Sequence, residues 1–208
     1  MKRMLGVVLL LIFVGPLYAQ KPAPFKGCKP EGNGKPTKTN PTGKLSKAKE
    51  DLNLLKNRDT DPTSLDESVT LAAIMNPAND SKFTNDEGVS ITAFVADVKA
   101  GEPQETCNCA RKDIADIHID VVLKEADKTK SSKYMIVEIN PRYQEKLGSL
   151  ATVKAALKGQ WVKFTGWMFY DVVHKSNAKN TNPKGKAIWR ATAWEVHPVT
   201  AFDVVAAP

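Results

Sequence analysis

Each of the three histidines stands among groups able to share a proton or a metal with it: Asp116-Ile117-His118-Ile119-Asp120, Asp171-Val172-Val173-His174 and Trp194-Glu195-Val196-His197-Pro198. Side chains two apart on a strand share a face. Asp116, His118 and Asp120 therefore gather opposite Ile117 and Ile119, and Glu195 and His197 share a side of a later strand. Glu138 would join the first row if its strand pairs there. Two carboxylates and an imidazole on one surface suit a divalent metal such as zinc, or a general base. Taken singly, each histidine also reads as a hydrogen-bonded structural residue; a shared site requires His118, His174 and His197 to converge.

The three cysteines allow two arrangements. Cys28 can pair with Cys107 or Cys109, which leaves one thiol over, or Cys107 and Cys109 can act as a thiolate pair on a metal with His118 nine residues on. That spacing matches no standard zinc knuckle. A second candidate surface is basic: Lys175, Lys179, Lys184 and Lys186 crowd one loop with Arg190 at its far end, beside Trp161, Trp167, Phe169, Tyr170 and Trp189. Lysines interleaved with aromatics suit a polyanionic ligand; the plainer reading is a solvated hairpin tip over core aromatics.

Positioning these groups falls to five expected strands: 89–99, 116–124, 134–140, 161–171 and 188–197. Ser149 caps a helix with Leu150, Val153 and Leu157 on one side, inserted between the third and fourth. Three strands, a helix and two strands is the order of an OB-fold, a five-stranded Greek-key barrel that binds through one face and its 1–2 and 4–5 loops. Ser64 and Glu67, at capping-box spacing, predict a short helix ending at Asn76-Pro77, with Leu65, Val69, Ala72 and Ala73 on one face. Residues 20–61, rich in Pro, Lys and Gly, read as a flexible basic arm, with Leu45–Arg58 able to dock a short helix. The barrel is expected over 62–201, with a tail over 202–208.

The 208 residues carry a formal +7, but its location decides its meaning. Two basic groups lie in residues 1–19. Ten basic and four acidic groups lie in 20–60, and eighteen basic against nineteen acidic follow from 61 onward. The barrel is almost neutral, so a general nucleic-acid surface loses its support and the lysine loop is left as the local exception. Lys2-Arg3, the apolar run from Met4 to Val14 and Leu17-Tyr18-Ala19 compose a secretory signal peptide, too short to span a bilayer. The mature chain is therefore expected in the periplasm or outside the cell, without a membrane span.

Nucleophile-elbow, phosphate-loop, dinucleotide and His-Glu-x-x-His motifs are all missing. The segments Leu52–Arg58, Cys107-Asn108-Cys109, Asp116–Ile119 and Trp189–Pro198 resemble a family of exported bacterial proteins of uncharacterised activity, over roughly residues 50–200. The resemblance implies a bacterial origin and no established reaction. Three functions compete: an exported binding module with a structural metal; a metal-assisted hydrolase of phosphodiester or other polyanionic substrates, with Asp116, His118 and His174 or His197 as ligands or base; and a structural domain. Secreted staphylococcal-type nucleases are also OB barrels, but their arginine and carboxylate motifs are not recognisable in this chain, and fold alone does not carry function.

Overall fold

The structure is a computed structural model that describes residues 21–208; the expected signal peptide lies outside them. Five strands close into a barrel: β1 (Gly88–Ala100), β2 (Ile117–Val122), β3 (Met135–Ile139), β4 (Trp161–Tyr170) and β5 (Trp194–Val205), in the order β1-β2-β3-β5-β4. The neighbours are antiparallel except β3 and β5, which run parallel with Ile136 opposite Glu195 and Val137 opposite Val196. This is the OB-like barrel that the element order predicts. β1 is long enough to pair with both β2 and β4, and its register shifts between Val95 and Asp97 as it bends from one partner to the other.

The barrel is filled by the alternating apolar faces. Ile91, Ala93, Val95, Ile119, Val121, Met135, Val137, Val162, Phe164 and Val196 are buried in one cluster. Among the described residues four α-helices surround it: α1 (Lys47–Lys56), α2 (Leu71–Met75), α3 (Pro141–Leu147) and α4 (Leu150–Leu157). Ser149 caps α4 by accepting from the Thr152 amide, and Val153 and Leu157 enter the core.

Three expectations change. The capping-box helix starts later: Thr70, not Ser64, caps α2, and Leu65 is exposed. The last strand begins at Trp194 rather than Ile188 and runs past Ala201 to Val205, so the expected tail supplies the pairing with Trp161–Phe164 of β4. Residues 188–193 instead form the end of the β4–β5 loop, because Arg190 turns inward to carboxylates and makes a lone bridge with Ala178.

The third change concerns the arm. From Lys21 onward it is folded onto the barrel, with Cys28 buried and joined to Cys109 in a disulfide. Proline spacing forbids regular structure there, but it does not forbid side-chain anchoring. Asn53 Nδ2 donates to the Glu31 carbonyl at 2.8 Å, and Asn57 Nδ2 donates to the Pro30 and Cys107 carbonyls at 2.9 Å each. From the barrel side, Asn140 Nδ2 holds the carbonyls of Lys56 and Arg58 at 2.9 Å. These amides fix the C-terminal end of α1, and with it Lys56, over the open end of β2 and β3. Among the described residues no helix is long and apolar enough to cross a membrane.

Candidate metal centre and ligand cleft

The outward face of β2 and β3 carries the expected row. His118 stands opposite Glu138 in the β2–β3 register, and its Nδ1 lies 2.8 Å from Glu138 Oε1 while its Nε2 lies 3.0 Å from Asp120 Oδ1. The parallel β3–β5 pairing brings His197 to the other oxygen of the same carboxylate: His197 Nδ1 is 2.8 Å from Glu138 Oε2. That approach is an ion-pair contact off the hydrogen-bond direction, since neither His197 nitrogen nor Glu138 Oε2 has a hydrogen-bond partner. Asp116, just before β2, places Oδ2 3.9 Å from His197 Nε2, and its Oδ1 is likewise unpartnered.

Asp116, Glu138 and His197 are thus three buried residues whose ligand atoms lie within 4.8 Å of one another. A second group, Glu105, Cys107 and Asp116, meets the same limit. It differs in one respect: the Lys56 ammonium already sits 2.6 Å from Glu105 Oε2, supplying a positive charge there. In the first triad the positive charge is that of His197 itself when protonated, with Lys56 standing 4.0 Å from Glu138.

Burial governs the proton affinities. It opposes charge on His197, yet Glu138 and Glu195 outweigh it and push that imidazole up to about 10. His118 is raised to about 9 against burial by Asp120 and Glu138. Asp116 rises to about 7, driven by burial and then by the nearby Glu105 charge. Glu138 goes the other way: burial would raise it, but the two imidazoles hold it well below the usual carboxylate range. The network favours positive charge at its centre.

His174 reaches the same network through a relay. Its Nδ1 lies 2.5 Å from Asp171 Oδ2; Asp171 Oδ2 is 3.2 Å from Arg190 Nη1; and that nitrogen is 2.9 Å from Glu195 Oε1. Trp189 stands between the two outer histidines, with ring centroids 6.4 Å from His118 and 5.4 Å from His174. His118, His174 and Arg190 therefore face one cleft of about 220 Å³, lined also by Lys56, Lys99, Gly101, Glu102, Glu105, Glu138, Asp171, Trp189 and Glu195. A second lobe of about 260 Å³ continues past Lys56, Glu105 and His174. Together they lie between the β1–β2 and β4–β5 loops.

Of the residues singled out from sequence, Asp116, His118, His174, His197 and Arg190 belong to this network. Cys109 does not: its sulfur is committed to Cys28, which corrects the expectation of a Cys107/Cys109 thiolate pair. Cys107 is the free thiol left over, buried and within 3.3 Å of Glu105 and 3.8 Å of Asp116. Lys175, Lys179, Lys184 and Lys186 are exposed on the β4–β5 loop and do not line the cleft; Lys179 borders a separate groove with Lys124 and Lys133. Sequence reasoning missed Lys56, Lys99 and Glu105, which lie in a helix, an edge of β1 and a loop that no local pattern connects.

Compared with protein-family models, curated proteins and solved structures, the chain matches none.

Proposed function

We propose that the chain is an exported binding module of OB-like architecture that takes a small ligand in the cleft between the β1–β2 and β4–β5 loops, over a buried divalent cation such as zinc. Asp116, Glu138 and His197 would hold that cation, and the motif resemblance to exported bacterial proteins belongs to the same reading. The observation that carries it is the triad: three buried ligand-type side chains converge beside the cleft with ligand atoms within 4.8 Å of one another, and Asp116 Oδ1 and His197 Nε2 have no hydrogen-bond partner. Leaving such atoms unpaired is costly, and a cation would satisfy them together.

Burial favours a structural ion over a catalytic one. Three protein ligands leave a fourth position on zinc, as in catalytic sites, but that position serves catalysis only where substrate can reach it. Asp116 and His197 are buried and do not line the cleft; of the three, Glu138 alone reaches its wall. This supports a binding module over the metal-assisted hydrolase. The two lobes, about 220 and 260 Å³, together fall within the roughly 300–1,000 Å³ of small-molecule pockets. A disulfide between Cys28 and Cys109 suits an oxidising compartment.

Metal analysis of the mature chain after equilibration with zinc tests the reading. One equivalent should survive dialysis and be lost in His197→Ala and in the near-isosteric Glu138→Gln, while His174→Gln keeps it. Wild-type protein that retains no metal would overturn the cation site.

A further inference from the structure

Resting on the cleft as the ligand site, the geometry points to the chemical class of its ligand: a small oxyanion, as a free phosphate, sulfate or carboxylate or as the terminal group of a small molecule, bound by Arg190, His174 and Lys56 beneath Trp189.

The argument begins with an unpaired donor. Arg190 is fully buried, yet it lines the cleft wall. Its Nε donates to the Thr192 carbonyl at 2.7 Å, and its Nη1 serves Asp171 and Glu195. Its Nη2, with two hydrogens, has no partner. A guanidinium is the side chain best shaped to grip a planar or tetrahedral oxyanion, and a buried charged donor calls for an acceptor. Trp189 lies over this guanidinium, with the Arg190 carbon 5.2 Å from the ring centroid, and shields it from bulk water.

Two more donors converge. His174 spends Nδ1 on Asp171, which leaves Nε2 free on a side chain that is 42% exposed and borders both lobes. Lys56 also borders both lobes, with its side chain 16% exposed. The acids on the same wall are already engaged: Glu138 by His118 and His197, Asp171 by His174 and Arg190, Glu195 by Arg190, and Glu105 by Lys56. Glu102 is the lining acid without such a partner among the described ion pairs. The first lobe, about 220 Å³, has room for such a group, and the second, about 260 Å³, for the rest of a small molecule that carries it. The exposed Lys175, Lys179, Lys184 and Lys186 are not needed for it.

The experiment titrates the zinc-equilibrated mature chain with inorganic phosphate, sulfate, acetate and a sugar phosphate at constant ionic strength, following the Trp189 indole and His174 ring signals by NMR. Saturable shifts at both are expected. His174→Gln, a change at an exposed side chain, should weaken binding by about tenfold or more, as loss of one charge-assisted hydrogen bond implies. Lys56→Gln should weaken it likewise. A sugar phosphate that binds more tightly than free phosphate identifies a terminal group; the reverse order identifies the free ion. Absence of saturable shifts, equal affinity in His174→Gln, or shifts confined to the Lys175–Lys186 loop would each overturn the proposal. Metal content measured on the same samples separates the two readings: zinc retained without anion binding refutes the oxyanion alone, and zinc absent with anion bound refutes the cation alone.

Discussion

Glu138→Gln removes one charge and almost no volume from the carboxylate that joins His118 to His197, so its cost in metal-free protein can be worked from the network. His197 ordinarily titrates near 6.5 and is pushed up to about 10 in the fold, chiefly by Glu138 once burial has been overcome. Each tenfold change in proton affinity is about 1.4 kcal/mol, so at pH 7 the protonated His197 contributes about 4 kcal/mol. Glu195, 3.7 Å from His197 Nδ1, keeps part of this when Glu138 is neutralised. A loss of about 3 kcal/mol follows, at the lower end of the roughly 3–5 kcal/mol seen when one partner of a buried pair is removed. For a domain of this size it lowers the Tm by about 6–12 °C. The pH dependence has a definite sign. The folded pKa of His197 lies above its unfolded value, so its contribution is full below about 6.5 and fades as pH rises toward 10. That of Glu138 lies below its ordinary 4.5, so its contribution is full above that value and fades in acid. Urea unfolding of chelator-treated wild type and variant at pH 6 and pH 9.5 should show the larger gap at pH 6. A gap below about 1 kcal/mol at pH 6, or one that does not narrow at pH 9.5, would refute the assignment of Glu138 as the counter-ion of His197.

Replacing Cys28 and Cys109 together by serine opens a cross-link spanning 81 residues of sequence and should cost about 4–5 kcal/mol in denaturant unfolding; a loss under about 1 kcal/mol would show that the arm's amide anchors suffice without it. Cys107 should resist thiol reagents in the native state, because burial and the adjacent Asp116 push its thiol well up and keep it protonated. Mass spectrometry should find it modified at the rate of unfolding, and rapid stoichiometric labelling of native protein would contradict that environment.

Much of the framework was legible from local pattern. The alternation from Asp116 to Leu123 placed Ile117, Ile119 and Val121 in the core and His118 with Asp120 outside, because strand period alone decides which face a side chain takes. Ser149 before Leu150, Val153 and Leu157 marked α4, since an N-cap and a 3.6-residue stripe are both local signals. The order of elements then sufficed for an OB-like barrel. The same kind of reading failed at Trp189–Ala193, where alternating apolar residues resemble a strand but the Arg190 side chain binds carboxylates inside the fold.

What the sequence determined by itself was the set of candidate groups and the face each strand offers. Convergence was a tertiary matter. Glu138 meets His118 across an antiparallel pair and His197 across a parallel one, and the strands that do this are far apart in the chain. Which cysteine Cys28 joins, and the arrival of Lys56 beside Glu105, depend on where the arm docks. Sequence spacing carries the period of a strand or helix, but not the distance between elements. That distance is set by barrel closure and by the amides of Asn53, Asn57 and Asn140, which hold α1 against the site.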